Sequence, residues 1–599
     1  MRHRVVPALL ILLSLALVVW LLHLSRYGFD LTDEGHYLNS ISRPFLYDVN
    51  LPPTLFGHVL LPVYEVLGKD VVLLRQVGVL ITFGLAFALA LAVLRIVWGT
   101  ARSDRLAATA LAAGVACLSL VYYSYLVITP SYNLVAFQAL MIVSLGAVLV
   151  HGGVGLPAWL MTGFGGWLLF MGKPSSAVAI AVLLPVCLLG IGAFRWRGAV
   201  LAAVTAGGLL VGSAMLIDGS PGATIERFAK SLELSEVVAA GHEFASIFRL
   251  DHLYLTRWDW SLILYWSVAI FALTATGMAQ GRVLPSLWLA ACAGIASAVL
   301  TYLFMSYRIE HWARNVHLFP ISVAMILPVL VHLIARPPRH WTNARAPVMI
   351  CLFLITLPHA HIFGSNNHYW NTGASVGFFW VLAAVAALGA VYQSGHPIAV
   401  ARFVPAAFVF PALTVVLMDS GIKNPYRQPP DLTSFSAPFD LADGGTVIVE
   451  ARFAAYLSTA TDVASTAGLS PGMPVIDLTG QSPGLLFALG MNNVGLPWIA
   501  GAYPGSDALA AEIYSLTPCE IIGSAWVLDE PEGARRISPA TLGRFGADLG
   551  RDFTQAGTFL VPEYSGDRGT GDRPRQFLYK PTRTLQAARQ ACEDSKTGG

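Results

Sequence analysis

Residues 5–24 read VVPALLILLSLALVVWLLHL, and residues 25–43 continue as SRYGFDLTDEGHYLNSISR. The first stretch contains no Asp, Glu, Lys or Arg and is long enough to cross the ~30 Å hydrocarbon core of a bilayer as an α-helix. It is too long for the apolar core of a signal peptide, and no small-residue cleavage site follows it. We therefore expect a membrane-spanning helix that is retained and leads directly into a polar, acidic loop.

The composition of the whole chain places it in a membrane. Of its 599 residues, 55% are hydrophobic and only 12% are charged, with a mean hydropathy of +0.63. Soluble proteins have about 25% charged residues, so a disordered chain, a coiled coil and an ordinary cytosolic enzyme are excluded. The net charge of +2 is not concentrated in a basic stripe, which argues against a nucleic-acid partner.

Twelve more apolar runs of membrane-spanning length follow the first. They lie near residues 71–98, 106–127, 134–151, 157–172, 175–194, 198–217, 259–280, 283–305, 316–335, 346–361, 374–392 and 401–418. An odd number of spans puts the two ends of the chain on opposite sides of the membrane. Arginines gather in alternate loops while carboxylates gather in the others, so the positive-inside rule predicts a cytoplasmic N-terminus and an extracytoplasmic C-terminal segment.

The composition changes near Lys423, after which the sequence is that of a soluble protein. We expect a transmembrane domain over 1–420, a linker over 421–443 and an extracytoplasmic α/β domain over 444–599, because short β runs alternate with helical ones there. Cys519 and Cys592 both belong to this last part. An extracytoplasmic location allows a disulfide between them, and two free thiols fit the sequence equally well.

The loop after the first span carries an adjacent pair of carboxylates, Asp33 and Glu34. They open a short predicted helix with Thr32 or Asp33 as its N-cap. Acidic residues at a helix N-terminus commonly do no more than complement the helix dipole. At the mouth of a membrane bundle, however, such a carboxylate is also suited to act as a general base towards a hydroxyl group.

The order of motifs in this loop resembles that of the GT-C membrane glycosyltransferases, which include protein O-mannosyltransferases and lipid A aminoarabinose transferases. The motifs are TDEGHY at 32–37, LPPTLF at 51–56 and LGKDVVLLRQ at 67–76. The resemblance implies a GT-C-like fold of about 13 transmembrane helices, and it assigns catalytic roles to Asp33 and Glu34. Two positions depart from the pattern: Leu51 replaces a His, and Asn133 stands where some of these transferases have a second acid.

Two later segments extend the resemblance. FMGKPSSAVAI at 170–180 and SYRIEHWARNVHLFP at 306–320 match the Lys-containing and basic-aromatic loops of the family. A lysine in such a position is often only an interfacial anchor, but here we prefer a phosphate contact. The residues that the resemblance assigns to the donor phosphate are Lys173, Arg308, Arg314 and Arg75.

A third segment, PHAHIFGSNNHYWNTG at 358–373, is dense in amide and aromatic residues. An interfacial aromatic belt explains its Tyr and Trp, whereas adjacent amides suit a hydroxyl-rich sugar. The residues expected to bind acceptor or sugar are Tyr37, His58, His311, Asn366, Asn367 and His368. The histidine spacing fits no standard zinc pattern, so we assign no metal ligands; no cofactor is certain, and a divalent metal stays open.

The resemblance thus implies an inverting glycosyltransferase in a bacterial inner membrane. The donor would be a sugar on a polyprenyl phosphate, and the acceptor a glycolipid, polysaccharide or protein of the cell envelope, reached on the outer face of the bilayer. Asp33 would deprotonate the acceptor hydroxyl. The alternatives are a transporter or flippase of lipid-linked saccharides, for which internal repeats and midspan charges are expected and not found, and a ligase of such saccharides.

Overall fold

The chain forms a helical bundle followed by a small α/β domain in the computed structural model, which describes residues 2–99, 104–238, 251–279, 285–305, 309, 311–337, 341–365, 367–393, 399–562 and 574–597. The α-helices of the bundle are α1 (Arg2–Leu24), α2 (Asp33–Ser42), α3 (Phe56–Val66), α4 (Val71–Ala92), α5 (Arg105–Cys117), α6 (Tyr132–His151), α7 (Leu156–Gly172), α8 (Pro174–Gly190), α9 (Trp196–Ile217), α10 (Pro221–Val238), α11 (Arg257–Met278), α12 (Pro285–Met305), α13 (Leu318–Ala335), α14 (Trp341–Ile362), α15 (Tyr369–Thr372), α16 (Phe378–Gln393), α17 (Val404–Ala407) and α18 (Val409–Lys423).

Ten helical segments of the described residues are long and apolar enough to cross a membrane. A bent pair, Tyr369–Val376 and Phe378–Gln393, makes an eleventh. The apolar helices α7 and α8 are shorter, with 17 residues each, and occupy the two remaining positions where a span is predicted. Each of the thirteen predicted spans therefore corresponds to an apolar helical segment, and the prediction of a polytopic helical membrane protein is confirmed.

Exposure and side-chain size distinguish the helices that face lipid from those in the interior of the bundle. On α9, Val204 and Leu216 are 64% and 82% exposed, as expected of a helix whose neighbours are lipid tails. On α16, by contrast, all residues from Phe378 to Val391 are buried, and five of them are alanines. Small side chains let helix backbones approach closely where lipid provides no hydrophobic driving force. The interior of the bundle therefore lies around α16 and the similarly Ala-rich α5.

The C-terminal part contains a hairpin and a five-stranded sheet. Its strands are β1 (Ala437–Asp440), β2 (Thr446–Val449), β3 (Pro474–Asp477), β4 (Asn492–Asn493), β5 (Trp526–Asp529), β6 (Phe553–Leu560) and β7 (Arg575–Pro581). Strands β1 and β2 pair antiparallel, and the sheet has the order β4-β3-β5-β7-β6, parallel from β4 to β5 and antiparallel beyond. Its helices are α19 (Ala451–Ala467), α20 (Pro483–Ala488), α21 (Ser506–Leu516), α22 (Cys519–Ile522), α23 (Leu549–Asp552) and α24 (Leu585–Thr597).

The predicted α/β class of this domain is confirmed, although some of its elements differ from the sequence prediction. The apolar run 519–528 splits into the short helix α22 and the strand β5, because Gly523 and Ser524 interrupt it. Strand β7 was not predicted, and β1 lies within the segment 421–443 that was expected to be a linker. We call residues 437–597 the tail domain.

The tail domain packs against the loop that follows α1. The amide of Gly28 donates to the carbonyl of Ile448 at 2.9 Å, and the amide of Ile448 donates to that of Arg26 at 2.8 Å, so β2 extends onto the loop. Gly35 and Gly484 meet so closely that a Cβ on Gly35 would lie 2.2 Å from the amide nitrogen of Gly484. A side chain at either glycine would collide with the facing backbone, so only glycine is accommodated at these two positions. The tail domain and the first loop therefore lie at one end of the bundle.

A candidate active site around Asp33

The helix that carries the acid pair begins with an unusual cap. Thr32 occupies the predicted N-cap position of α2, but its side chain does not cap the helix. Its hydroxyl donates instead to the carboxylate of Asp30 at 2.9 Å, and that carboxylate accepts the amide of Glu34 at 3.1 Å. Asp30 thus satisfies an amide at the first turn of the helix, a function normally served by the N-cap. The acid pair consequently starts from a fixed backbone.

Glu34 lies at the centre of a buried hydrogen-bond network. Its Oε1 accepts from Nη2 of Arg75 at 2.6 Å and from the hydroxyl of Thr129, and its Oε2 accepts the amide of Asp30 at 3.0 Å. Arg75 also donates to the carbonyls of Ser25 and Gly28, at 2.7 and 3.0 Å. Both side chains are about 1% exposed. Glu34 and Arg75 therefore join α2, α4 and the first loop to one another, and their expected catalytic and phosphate-binding roles stay predictions.

Asp33 has a different environment from Glu34. Its side chain is 29% exposed, and Oδ2 lies 3.2 Å from Nη1 of Arg427, which belongs to the segment after α18. The charge of Asp33 adds to burial in raising the pKa of Tyr37 and of Tyr426 well above the usual range. These phenols therefore stay protonated and face the carboxylate as neutral hydroxyl groups. Asp33 is therefore the partly exposed member of the acid pair, whereas Glu34 is buried.

An aromatic wall stands next to Asp33. The rings of Tyr37, Phe56 and Tyr132 contact one another edge to face, with centroids 6.1–6.2 Å apart. Tyr132, the first residue of α6, lies within electrostatic range of Asp33, and the side chains of Asn133 and Asn367 lie beside its hydroxyl. Aromatic faces combined with amide and hydroxyl groups form the kind of surface that a sugar ring binds.

Lys173 lies beside the same wall. It lies between α7 and α8, is 5% exposed, and donates from Nζ to the carbonyl oxygen of His361 at 2.8 Å. Nζ also stands 5.9 Å from the centroid of the Tyr132 ring. Among the described residues no carboxylate forms an ion pair with it. A buried ammonium group without a counter-charge is costly, so this position favours an anionic ligand.

Two further titratable groups of the first loop have shifted pKa values. Burial, together with the neighbouring charge of Asp33, raises the pKa of Asp30 to about 7. Burial lowers the pKa of His36 to about 4, against a smaller opposing effect of Asp33. His36 is therefore neutral at physiological pH, whereas Asp30 changes its protonation state near physiological pH.

The remaining predicted residues are less directly placed. Arg314 is fully buried and donates to the carbonyls of Ser124 and Asn424, at 2.8 and 3.0 Å, and to Ser420. Its phosphate role stays a prediction. His58 packs edge to face on Phe45, and its described contacts do not reach Asp33.

His368 precedes α15 in the segment that brings Asn367 to Tyr132. Arg308, Asn366 and the side chain of His311 lie outside the described residues.

The structure adds residues near Asp33 that sequence reasoning did not identify: Asp30, Tyr132, Tyr426 and Arg427. Asp30 has a local signal, since it lies three residues before Asp33 in the same acidic motif. Arg427 has none, because its segment reads as a polar linker. As for metal, no group of three or more His, Cys, Asp or Glu side chains suited to hold an ion occurs within the described ranges.

Comparisons with known proteins give a similarity of structure. Two crystal structures of ArnT from Cupriavidus metallidurans, one bound to undecaprenyl phosphate and one in the apo state, are each similar over 96% of this chain and 98% of theirs, with 13% identity and a TM-score of 0.37. No protein-family model matches the chain. No curated protein matches it in sequence either.

Proposed function

We propose that this protein is a membrane glycosyltransferase that moves a sugar from a polyprenyl-phosphate donor to an acceptor hydroxyl of the cell envelope. One observation carries the proposal: the partly exposed carboxylate of Asp33 and the buried amine of Lys173 both lie near the same tyrosine, Tyr132. A base and an anion-binding group beside one aromatic, amide-lined wall match what glycosyl transfer from a lipid phosphate requires. The motifs of the first loop support the same assignment.

In this mechanism Asp33 accepts the proton of the acceptor hydroxyl as its oxygen attacks the anomeric carbon of the donor. The bond between that carbon and the phosphate oxygen breaks, and the electron pair leaves with the polyprenyl phosphate. Attack from the face opposite the phosphate inverts the anomeric configuration. The proton on Asp33 then passes to water through its exposed side, so the base is regenerated for the next turnover.

Lys173 stabilises the leaving phosphate. The charge on the phosphate oxygens grows as the glycosidic bond breaks, and a fixed ammonium in a site with little water stabilises that charge more than bulk solvent does. Glu34 and Arg75 contribute indirectly, because they hold α2 against α4 and so fix the direction of Asp33. In this mechanism Asp33 and Lys173 contact the substrates, and Glu34 and Arg75 hold the helix that carries Asp33.

We also propose that the site faces the outer side of a bacterial inner membrane. The tail domain lies at the same end of the bundle as Asp33, and the distribution of arginine predicts that this end is extracytoplasmic. The bond between Cys519 and Cys592 supports this orientation, since disulfides persist mainly in oxidising compartments. The acceptor would then be a glycolipid, a polysaccharide or a protein exposed on that face.

The proposal is tested with the full-length protein in lipid nanodiscs. A panel of polyprenyl-phosphate hexoses and pentoses is supplied together with an extract of envelope glycolipids, and released polyprenyl phosphate and glycosylated product are both measured. We expect Asp33→Asn to lower the rate by about 10²–10⁴-fold, the usual contribution of a general base. Asp48→Asn is the matched control, since Asp48 is an exposed acid of the same loop.

Undiminished transfer by a folded Asp33→Asn protein would refute the role of Asp33. If wild-type protein relocates labelled donor across a vesicle membrane without releasing polyprenyl phosphate, the transporter alternative holds instead.

A further inference from the structure

The segment between the bundle and the tail domain passes directly over Asp33. Nη1 of Arg427 lies 2.8 Å from the hydroxyl oxygen of Thr32 and 3.2 Å from Oδ2 of Asp33. Its guanidinium also stacks on the ring of Tyr426, with 4.7 Å between Cζ and the ring centroid. Arg427 therefore contacts both Thr32, which precedes α2, and Asp33, the first residue of that helix.

Arg427 has little freedom to move. Its φ of 51° is in the left-handed region, which a non-glycine residue adopts only when its surroundings hold it there. On one side the amide of Tyr426 donates to the carbonyl of Tyr125 at 3.1 Å. On the other, the side chain of Gln428 accepts the amide of Phe29 at 2.9 Å. The backbone on both flanks of Arg427 is thus fixed to the bundle and to the first loop.

The tail domain fixes the partner of Arg427 in turn. The amide of Gly484 donates to the carbonyl of Leu31 at 2.7 Å, and Asn39 donates from Nδ2 to the carbonyl of Pro483 at 2.9 Å. These bonds lie before and after Asp33 in the chain. The position of Asp33 relative to Arg427 therefore depends on the docked tail domain as well as on α2.

We propose that Arg427 is a positioning residue for Asp33, supplied by the segment that leads into the tail domain, so that docking of the tail completes the catalytic site. The inference rests on the function proposed above and adds to it a role for the tail domain. Arg427 holds Oδ2 of Asp33, and the phenol of Tyr426 hydrogen-bonds to the same carboxylate, so its orientation towards the acceptor hydroxyl is fixed by both. A base fixed in this way attacks from one direction, and a displacement of about 1 Å can cost about 10²-fold in rate.

The guanidinium of Arg427 is also the positive charge that lies against the carboxylate of Asp33, 3.2 Å from Oδ2. Titratable and charged groups close to Asp33 are Asp30, Glu34, His36, Tyr37, Tyr132, Tyr426 and Arg427. Within this described set, Arg427 is the cation that bonds to the carboxylate directly. Its removal leaves Asp33 facing the buried Asp30 with no compensating positive charge.

The experiment measures kcat, KM for the donor and the pH profile in the nanodisc assay. For Arg427→Gln we expect kcat to fall about 10²-fold with the donor KM within about twofold, and the acidic limb of the profile to move to higher pH. Arg427→Lys and added guanidinium ions should each restore part of the rate, since both return a cation. Arg452→Gln, an exposed arginine of the tail domain, is the matched control.

A second variant tests the contribution of the tail. In Gly484→Val the new Cβ would lie 2.7 Å from Cα of Leu31, which separates the tail domain from the loop without altering Asp33 or Arg427. We expect the same loss of kcat, whereas Gly543→Val, where nothing lies within 4 Å, should retain it. Intact Cys519–Cys592 bonding in the variant shows that the tail has folded.

Two results would overturn the inference. One is an unchanged kcat and pH profile in Arg427→Gln, and the other is a raised donor KM at constant kcat, which would make Arg427 a donor-binding residue. Either result leaves the proposed transferase function standing if Asp33→Asn is inactive. Full activity of Asp33→Asn, by contrast, would remove the proposed function itself.

Discussion

The carboxylate of Glu34 and the guanidinium of Arg75 form a buried ion pair, with 2.6 Å between Oε1 and Nη2. The two residues are 41 positions apart and connect α2 to α4. The neighbouring Asp33 forms a partly exposed ion pair with Arg427, in which the two side chains are 29% and 14% exposed. Two adjacent carboxylates therefore differ in environment: Glu34 is buried in the fold of the first loop, and Asp33 is partly exposed, as its proposed role as a base requires.

This difference predicts opposite effects of two similar substitutions. Glu34→Gln leaves the charge of Arg75 buried and uncompensated, so we expect the free energy of unfolding to fall by about 3–5 kcal/mol. Asp33→Asn removes a partly exposed pair and leaves no fully buried charge unpaired, so we expect a smaller loss of about 1 kcal/mol. Thermal unfolding in detergent micelles measures both, beside the nanodisc transfer assay. A stable, inactive Glu34→Gln protein would contradict the assignment.

The membrane fold was predictable because lipid constrains local sequence. A helix that crosses hydrocarbon needs about 20 apolar residues, so each span leaves a continuous signal. Even α7 and α8, at 17 residues each, were visible as apolar runs on either side of Lys173. Asp33 was likewise predictable as a candidate, because its motif is contiguous in the chain.

Pairings between distant segments were not predictable. Arg75 resembles any arginine at the outer end of a span until the fold places it against Glu34, and the sequence gives no sign that Arg427 returns to Asp33, 394 positions earlier in the chain. Strand β7 could not be predicted either, because its own sequence pattern is weak and the strand forms by pairing with β5 and β6. Such contacts depend on tertiary packing, which a single sequence does not display.

Lys173 should affect stability and activity in opposite directions. Replacing it by Met removes a buried ammonium that bonds to a carbonyl of His361 and keeps a similar volume, so we expect equal or higher thermal stability. Loss of the cation should lower transfer at least 100-fold and raise the donor KM, because the phosphate loses its counter-charge. Lys230→Met, at an exposed position of α10, is the control. A donor KM unchanged in Lys173→Met would argue against a phosphate contact.

Asp30 predicts a pH dependence of stability. Its pKa is about 7 in the folded protein and 3.8 in an unfolded chain, with burial as the main cause. Between these values the folded state binds the extra proton, so stability falls as pH rises from about 4 to 7 and is level above that range. Asp30→Asn keeps an oxygen for Thr32 and the amide of Glu34 but never ionises.

We therefore expect Asp30→Asn to be more stable than wild type at pH 8, by up to about 4 kcal/mol, with the difference vanishing near pH 4. Thermal midpoints of both proteins, recorded at intervals between pH 4 and pH 8, test the sign. A difference that stays constant across this range would show that Asp30 does not titrate there. Asp48→Asn, which changes an exposed acid of the same loop, should show no such trend.

The disulfide between Cys519 and Cys592 provides the last prediction. It joins α22 to α24 across 73 residues, and β5, β6 and β7 lie within the loop that it closes. Its loss should therefore raise the conformational entropy of this stretch in the unfolded chain. We expect Cys519→Ser with Cys592→Ser to lower the stability of the tail domain by about 2–4 kcal/mol. Because this domain docks on the loop of Asp33, transfer activity should become sensitive to temperature before the bundle unfolds. Cys292→Ser, which changes an exposed free cysteine, is the control. Mass spectrometry of alkylated membranes verifies the disulfide. Free thiols at Cys519 and Cys592 in protein from native membranes would contradict an oxidising location for the tail domain.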